Sequence, residues 1–287
     1  MANKKKKKIK IITIAISLIS ILSIVCVLIY PSVYEYQCKT RHFDDFEKRI
    51  TNDILESNIV IVKYEEMVND NVTSYSYSVG ASGVIFDSEN DTYYALTAYH
   101  VVQDFENANY IVIPYDSPTY SEYCKDSEMY IPNRLYYEQF EKAQIVCVDK
   151  EYDLAVISFK SEQVLTTLSI CNNNPQYNEK LMVISNPEGE RFVCSYGTIL
   201  SRNYDVFKSD DKLPSTNTFK HSAYIINGSS GSAVLNQQME IVGINIGGGV
   251  DFMNRFRCGA MVPCELICEF LKENYFSIKS NSNVSNT

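Results

Sequence analysis

Hydrophobic and polar positions fall into four successive textures. Lys4–Lys8 and Lys10 precede an uncharged, mostly apolar stretch over 11–30. Twenty such residues at the helical rise span about 30 Å, the thickness of a bilayer core. In 31–57, Phe43, Phe46, Ile50 and Ile54 recur at helical spacing and predict a short amphipathic helix in a juxtamembrane stalk. From Asn58 the pattern turns to short apolar runs broken by turn residues. The first group is Ile59–Val62, Ser82–Phe86, Tyr93–Thr97, Tyr110–Ile113, Gln144–Val148 and Leu154–Phe159. The second is Leu181–Ile184, Phe192–Leu200, Ala223–Ile226, Ala233–Leu235, Ile241–Ile246 and Gly259–Val262. Many short strands without long intervening helices predict an all-β chain of two six-stranded antiparallel β-barrels, about 58–160 and 166–262. A helix over 263–274 follows, with Leu266, Ile267, Phe270 and Leu271 on one face and Asn274 at its end. The Ser/Asn-rich tail, 277–287, is expected to be disordered. The Tyr-rich insert Ser117–Phe140 suggests no role.

The basic flank of the apolar stretch predicts a cytoplasmic N-terminus and an exported domain. Val25-Cys26-Val27-Leu28 is too bulky for a signal-peptidase site, which favours a retained anchor over a cleaved leader; cleavage would make the protein secreted. The net charge of −9 already includes those six lysines, so the body is more acidic still and repels nucleic acid. Nine cysteines are scattered, eight of them beyond the apolar stretch. Their number permits disulfides in an exported domain without specifying a pairing. With no Cys-x-x-Cys and only His42, His100 and His221, no metal site and no cofactor are expected.

Three local sequences carry chemistry together. His100 follows the run ending at Ala98, Asp153 opens the run from Leu154, and Ser230 sits in the loop Asn227-Gly228-Ser229-Ser230-Gly231-Ser232. Each alone reads as ordinary structure: a strand-end His, a strand-edge Asp, a Gly/Ser turn. The chain order His, Asp, Ser is one of the arrangements that build a nucleophile–base–carboxylate triad. Asp149 competes for the acid role and Ser229 for the nucleophile, but Ser229 lacks a Gly two residues before it. Gly228 and Ser230 would supply the backbone N–H groups of an oxyanion hole.

These segments resemble the HtrA-like proteases of the trypsin fold and the secreted bacterial glutamyl endopeptidases. The resemblance runs over about 58–275. It rests on Ser82-Gly83-Val84-Ile85, Thr97-Ala98-Tyr99-His100-Val101-Val102, Val148 to Val156, Glu179 to Gly189 and Ile241-Val242-Gly243-Ile244-Asn245, in the family's order. It implies a serine endopeptidase with His100, Asp153 and Ser230 as its triad, in one peptidase domain over 58–276. The nucleophile loop departs from the family pattern: Ser229 replaces Asn, Ser232 replaces Gly and Ala233 replaces Pro. A catalytically inactive binding module of the same fold, tethered to the membrane, is therefore the competing class. A Cys protease is excluded because no Cys lies in the loop.

Peptide or protein substrates would add as a strand along Asn245–Gly248, with Tyr224, Ile225, Asn245, Ile246 and Gly247 forming the specificity pocket. None of these is charged, and Asn245 stands where glutamyl endopeptidases carry His. A small or medium apolar P1 side chain is expected. About a dozen residues follow the last helix, so a PDZ domain is not expected.

Overall fold

The structure, a computed structural model, describes residues 2–69, 72–125, 130–209 and 211–277. Fourteen strands form among them. The first seven are β1 (Asn58–Asn69), β2 (Val72–Tyr77), β3 (Ala81–Glu89), β4 (Thr92–Ala98), β5 (Asn109–Ile113), β6 (Gln144–Asp149) and β7 (Leu154–Lys160). The other seven are β8 (Lys180–Ser185), β9 (Val193–Thr198), β10 (Asp205–Phe207), β11 (Thr216–His221), β12 (Ala233–Leu235), β13 (Ile241–Val250) and β14 (Phe256–Pro263).

They build two antiparallel sheets in sequence order, split between β7 and β8. The first runs β2-β1-β3-β4-β7-β6, with β5 on the other edge of β1. It curls until the residues before β6 reach β5: Val112 N–H donates to Glu141 C=O at 3.0 Å, and Ala143 N–H to Tyr110 C=O at 2.9 Å. The second runs β10-β11-β14-β13-β12-β8-β9, and its ends meet where Leu200 N–H donates to Lys220 C=O at 2.8 Å. Each curled sheet thus has six strands around it and a seventh outside. The outliers correct the strand count. β2 is an exposed Thr/Ser/Tyr strand folded back on the long end of β1, and β10 is a three-residue edge. A second correction concerns Ala223–Ile226, which forms no strand and pairs with none among the described residues. The strand lies just before it, at Thr216–His221, where apolar alternation is weak.

A core cluster joins the two sheets. Val84, Leu96 and Leu154 from the first meet Met182, Ile184, Ala233 and Ile244 from the second. The helix Cys264–Phe270 and the π-turn Leu271–Tyr275 close it with Ile267, Phe270 and Leu271, each 2% exposed or less. Each such side chain contributes about 1.5–3 kcal/mol of apolar burial. The π-turn carries the helix one residue past Asn274, and Tyr275 donates to Asp87 at 2.8 Å. Beyond Ser277 the expected disordered tail lies outside the described residues.

Ahead of the sheets stand the helix Ala2–Leu28 and the helix Tyr30–Lys39. Residues 31–57 pack first on the second sheet, through Cys38, then on the shared cluster, through Phe46, and end at the first sheet, where Ser57 C=O accepts from Ile85 N–H. Cys38 and Phe46 are fully buried, and the expected amphipathic helix is broken into two short turns, Asp44–Glu47 and Asn52–Glu56. Phe43, Ile50 and Ile54 nevertheless all face the core.

Candidate active site

The register of β4 on β7 brings two of the sequence candidates together. Ala98 pairs with Leu154, so His100, in the turn after β4, meets Asp153, just before β7. Asp153 Oδ2 lies 2.9 Å from His100 Nδ1, and Oδ1 accepts from the His100 backbone N–H at 3.0 Å. Ser209 Oγ donates to the same carboxylate from the β10–β11 loop. Asp153 is 1% exposed and holds φ +51°, a left-handed conformation that Asp tolerates better than most residues. A buried carboxylate costs heavily unless its lone pairs are filled, and these donors fill them. Asp149 is occupied elsewhere: its Oδ1 accepts from the N–H groups of Glu151 and Tyr152, capping the β6–β7 turn.

The loop with Ser230 lies across the junction of the sheets. Ser82, on β3, is its fastening. Its backbone N–H donates to Ser230 C=O at 2.9 Å, and its hydroxyl donates to Gly228 C=O at 2.8 Å. Thr97 Oγ1, three residues before His100, donates to Ser82 C=O at 2.8 Å. Gly228 has φ +95° and Gly231 φ +81°. A Cβ on Gly228 would stand 2.3 Å from the Asn186 carbonyl oxygen, and one on Gly231 would stand 2.1 Å from that of Ser82. Both positions need glycine for conformation and for space. The backbone N–H groups of Gly228 and Ser230 have no acceptor among the described residues.

Ser230 is half-buried on the wall of a cavity, and its hydroxyl makes no hydrogen bond among the described residues. Ser229 points the other way. It is 1% exposed, its hydroxyl accepts from Ile226 N–H, and it lies 3.3 Å from that of Ser185. The structure thus unites His100 with Asp153 and sets Ser230 in the adjoining cleft, without a hydrogen bond between Ser230 and His100. Apo sites often show such looseness.

The cavity holds about 280 Å³ and is walled by Tyr224, Ile225, Asn245, Gly247 and Phe256. Ile246 is placed elsewhere. Strand alternation turns it from its neighbours into the core joining the sheets, at 1% exposure. Two carboxylates absent from the sequence-derived pocket also line it, Glu188 and Glu35. Glu35 arrives from the helix Tyr30–Lys39. It accepts from Phe256 N–H at 3.2 Å and pairs with Lys39 at 2.7 Å, so its charge is already compensated.

Beneath the loop, Asn245 is fully buried and its amide donates to Ser229 C=O at 2.9 Å. Its oxygen therefore accepts from His221 Nε2, 3.2 Å away. His221 is also fully buried, and its Nδ1 has no hydrogen-bond partner among the described residues. Desolvation pushes its pKa down to about 4 from 6.5. The folded state thus resists protonating it. The stability this contributes is present above about 6.5 and is lost as pH falls from there through 4, to a total of roughly 3 kcal/mol. Thermal unfolding of wild type and His221→Gln across that window should show a smaller acid-side loss of Tm in the variant. Parallel curves would remove His221 from the account.

The sequence profile of the trypsin-like peptidase domain matches residues 81–244, more than half of the chain. The chain belongs to the trypsin-like peptidase family. This family member is 29% identical over 169 residues to the serine protease Do-like HtrB of Bacillus subtilis (strain 168), covering 57% of this chain and 32% of that protein. It is 26% identical over 200 residues to the serine protease HtrA-like of Staphylococcus aureus (strain MRSA252), covering 67% and 23%. The alignments span a third or less of these relatives. Among solved structures, an HtrA-type protease with a decapeptide has TM-score 0.55 at 18% identity, covering 77% of this chain and 64% of that one. The Rv3671c protease in an inactive form has TM-score 0.53 at 14% identity, covering 78% and 91%. At these identities the likeness speaks for the fold. The trypsin-like peptidase match takes in Ser82, His100, Asp153, Gly228 and Ser230. Glu35, Asn245 and Phe256 lie outside it.

Proposed function

We propose that the chain is a serine endopeptidase that hydrolyses peptide bonds with His100, Asp153 and Ser230, anchored in a membrane by its N-terminal helix and acting outside the cytoplasm. The observation that carries this reading is the pairing of buried Asp153 with half-buried His100, together with a cavity walled by Ser230, whose loop is fastened to the same sheet through Ser82. Ser230 attacks the scissile carbonyl while neutral His100 takes its proton and later passes it to the leaving amine. Asp153 holds Nδ1 protonated, which leaves Nε2 free to act as base. The unengaged N–H groups of Gly228 and Ser230 stabilise the oxyanion of the tetrahedral intermediate.

An extended peptide has a place to pair. β13 joins β12 only through Ile244, so the edge from Gly247 to Val250 has no strand beside it on that side among the described residues. The cavity opens along this edge, and its Tyr224, Ile225 and Phe256 walls suit an apolar P1 side chain. The anchor reading draws on an 18-residue window of mean hydropathy 2.9, none of it buried, behind the lysine-rich flank.

A fluorophosphonate probe tests the nucleophile, since it reacts only with a serine activated in a folded site. A peptide library tests the pocket. Cleavage after Val, Ala, Leu or Ile is expected, and Glu35→Gln should leave that preference in place because Glu35 is engaged by Lys39. Dominant cleavage after Arg or Lys, lost in Glu35→Gln, would overturn the apolar assignment.

A further inference from the structure

The hairpin joining β13 to β14 carries features that substrate binding does not use. Its tip, Asp251–Arg255, is rigid. Asp251 Oδ1 accepts from the N–H groups of Met253 and Arg255, and its carboxylate clamps the Arg255 guanidinium at 2.6 and 2.7 Å. The clamp projects Phe252 and Met253 outward, 78% and 54% exposed, beside Val250 at 59%. Three large apolar side chains held out by an ordered turn form a patch that water alone does not explain.

Arg255 also reaches the N-terminal helix. Its Nη1 donates to Leu28 C=O at 2.6 Å and to Ser32 Oγ at 3.0 Å. The hairpin tip is thus fastened to the last turn of the apolar helix. Tyr30, Val33 and Tyr36 are exposed just beyond, and tyrosines at such a level are characteristic of a membrane interface. Residues of the same hairpin, Val250, Asn254 and Phe256, line the cavity with Ser230.

We propose that Phe252 and Met253 form a second membrane contact, which seats the cavity mouth against the bilayer surface and selects polypeptide segments close to the membrane as substrates. This rests on the anchor reading above: the occupant is lipid because the patch is tied to the end of the apolar helix and continues its interfacial tyrosines. Because the turn backbone is already ordered, exposed Phe and Met side chains transfer their apolar area into the acyl boundary without the cost of ordering the loop that carries them.

The chain contains no tryptophan, so single reporters can be placed at will. Full-length Phe252→Trp, Tyr30→Trp and Val164→Trp variants, reconstituted in phosphatidylcholine/phosphatidylglycerol vesicles, would be read with and without brominated acyl chains. Val164 is 89% exposed, and its neighbour Leu165 packs into the core of the first sheet whereas the hairpin belongs to the second, so its reporter sets the solvent baseline. The expected result is blue-shifted, bromine-quenched emission at both 30 and 252, with neither effect at 164. Quenching at 30 alone overturns the second contact and leaves the anchor standing. No quenching at 30 sinks the anchor as well. A blue shift at 252 without quenching assigns the patch to protein rather than lipid and overturns the proposal. For the substrate claim, Phe252→Ser/Met253→Ser should cleave a vesicle-tethered peptide several-fold more slowly than wild type and a soluble peptide of the same sequence at an unchanged rate. Equal rates on the tethered peptide would refute it.

Discussion

Replacing Ser230 with Ala should lower kcat toward a peptide substrate by about 10⁶-fold, the scale seen when a triad nucleophile is removed. Ser229→Ala should leave catalysis within an order of magnitude. The two hydroxyls are neighbours in sequence, but the loop sends them in opposite directions. Ser230 faces the cavity, whereas Ser229 is buried against Ile226 and Ser185. Losing the Ser229 hydroxyl removes weak buried hydrogen bonds, a cost of about 1 kcal/mol in stability with no role in the reaction. Labelling by a fluorophosphonate separates the two directly. It should vanish in Ser230→Ala and persist in Ser229→Ala. A Ser230→Ala protein that folds and still labels would place the nucleophile elsewhere. A wild type that folds and never labels would turn the reading toward a binding module.

The parts of this fold that sequence makes legible are those where burial is strong on both faces of a strand. Runs such as Leu154–Phe159 and Leu181–Ile184 are buried on both sheet faces, and they stand out as apolar blocks. The missed strands have the opposite character. Thr-Ser-Tyr-Ser-Tyr in β2 is an edge exposed to water, and Thr-Asn-Thr-Phe-Lys-His in β11 offers Phe219 as its one apolar side chain. Ala223–Ile226 misled for a related reason. It is apolar because Ala223 and Ile225 are buried in the core of the second sheet and Tyr224–Ile226 wall a cavity, and the amide of Ile226 bonds to a serine hydroxyl instead of a neighbouring strand.

The site divides along the same line. His100 and Asp153 flank paired strands, so their meeting follows from strand register once the strands are recognised. Ser209 and Glu35 carry no local signal, and Ser82 stands in a segment of the family resemblance without any sign of its own role. A serine on a strand, a serine in a loop and a glutamate on a helix acquire their roles only when distant segments converge: Ser82 with residues 228 and 230, Ser209 with 153, Glu35 with 256. Ile246 fails in the reverse sense. It adjoins two cavity residues in sequence, and strand alternation takes it to the other face.

Asp153→Asn isolates what the carboxylate does without disturbing the backbone, because Asn shares the tolerance of Asp for the φ of +51° found there. Asp153 accepts from three groups: the His100 backbone N–H, His100 Nδ1 and Ser209 Oγ. An amide has one oxygen to offer in place of two. With that oxygen held by the His100 N–H, the NH₂ takes the place of Oδ2, faces both Nδ1 and Ser209 Oγ, and can only donate. The imidazole must then carry its proton on Nε2, the atom that has to receive the proton of Ser230. The expected loss is about 10⁴-fold in kcat with little change in KM, since no contact with substrate is altered. Ser209→Ala removes one donor and keeps the tautomer, so it should cost no more than about tenfold, in line with one hydrogen bond to a charged group. Thermal unfolding of the Asn variant should stay within a few degrees of wild type. If the Asn variant retains near-wild-type kcat while folding normally, the carboxylate is structural and His100 is oriented by other means. If it loses activity only through a collapse in Tm, the same conclusion holds. Equal losses from Ser209→Ala and Asp153→Asn would show that orientation of the carboxylate, and not the tautomer it imposes, limits the rate.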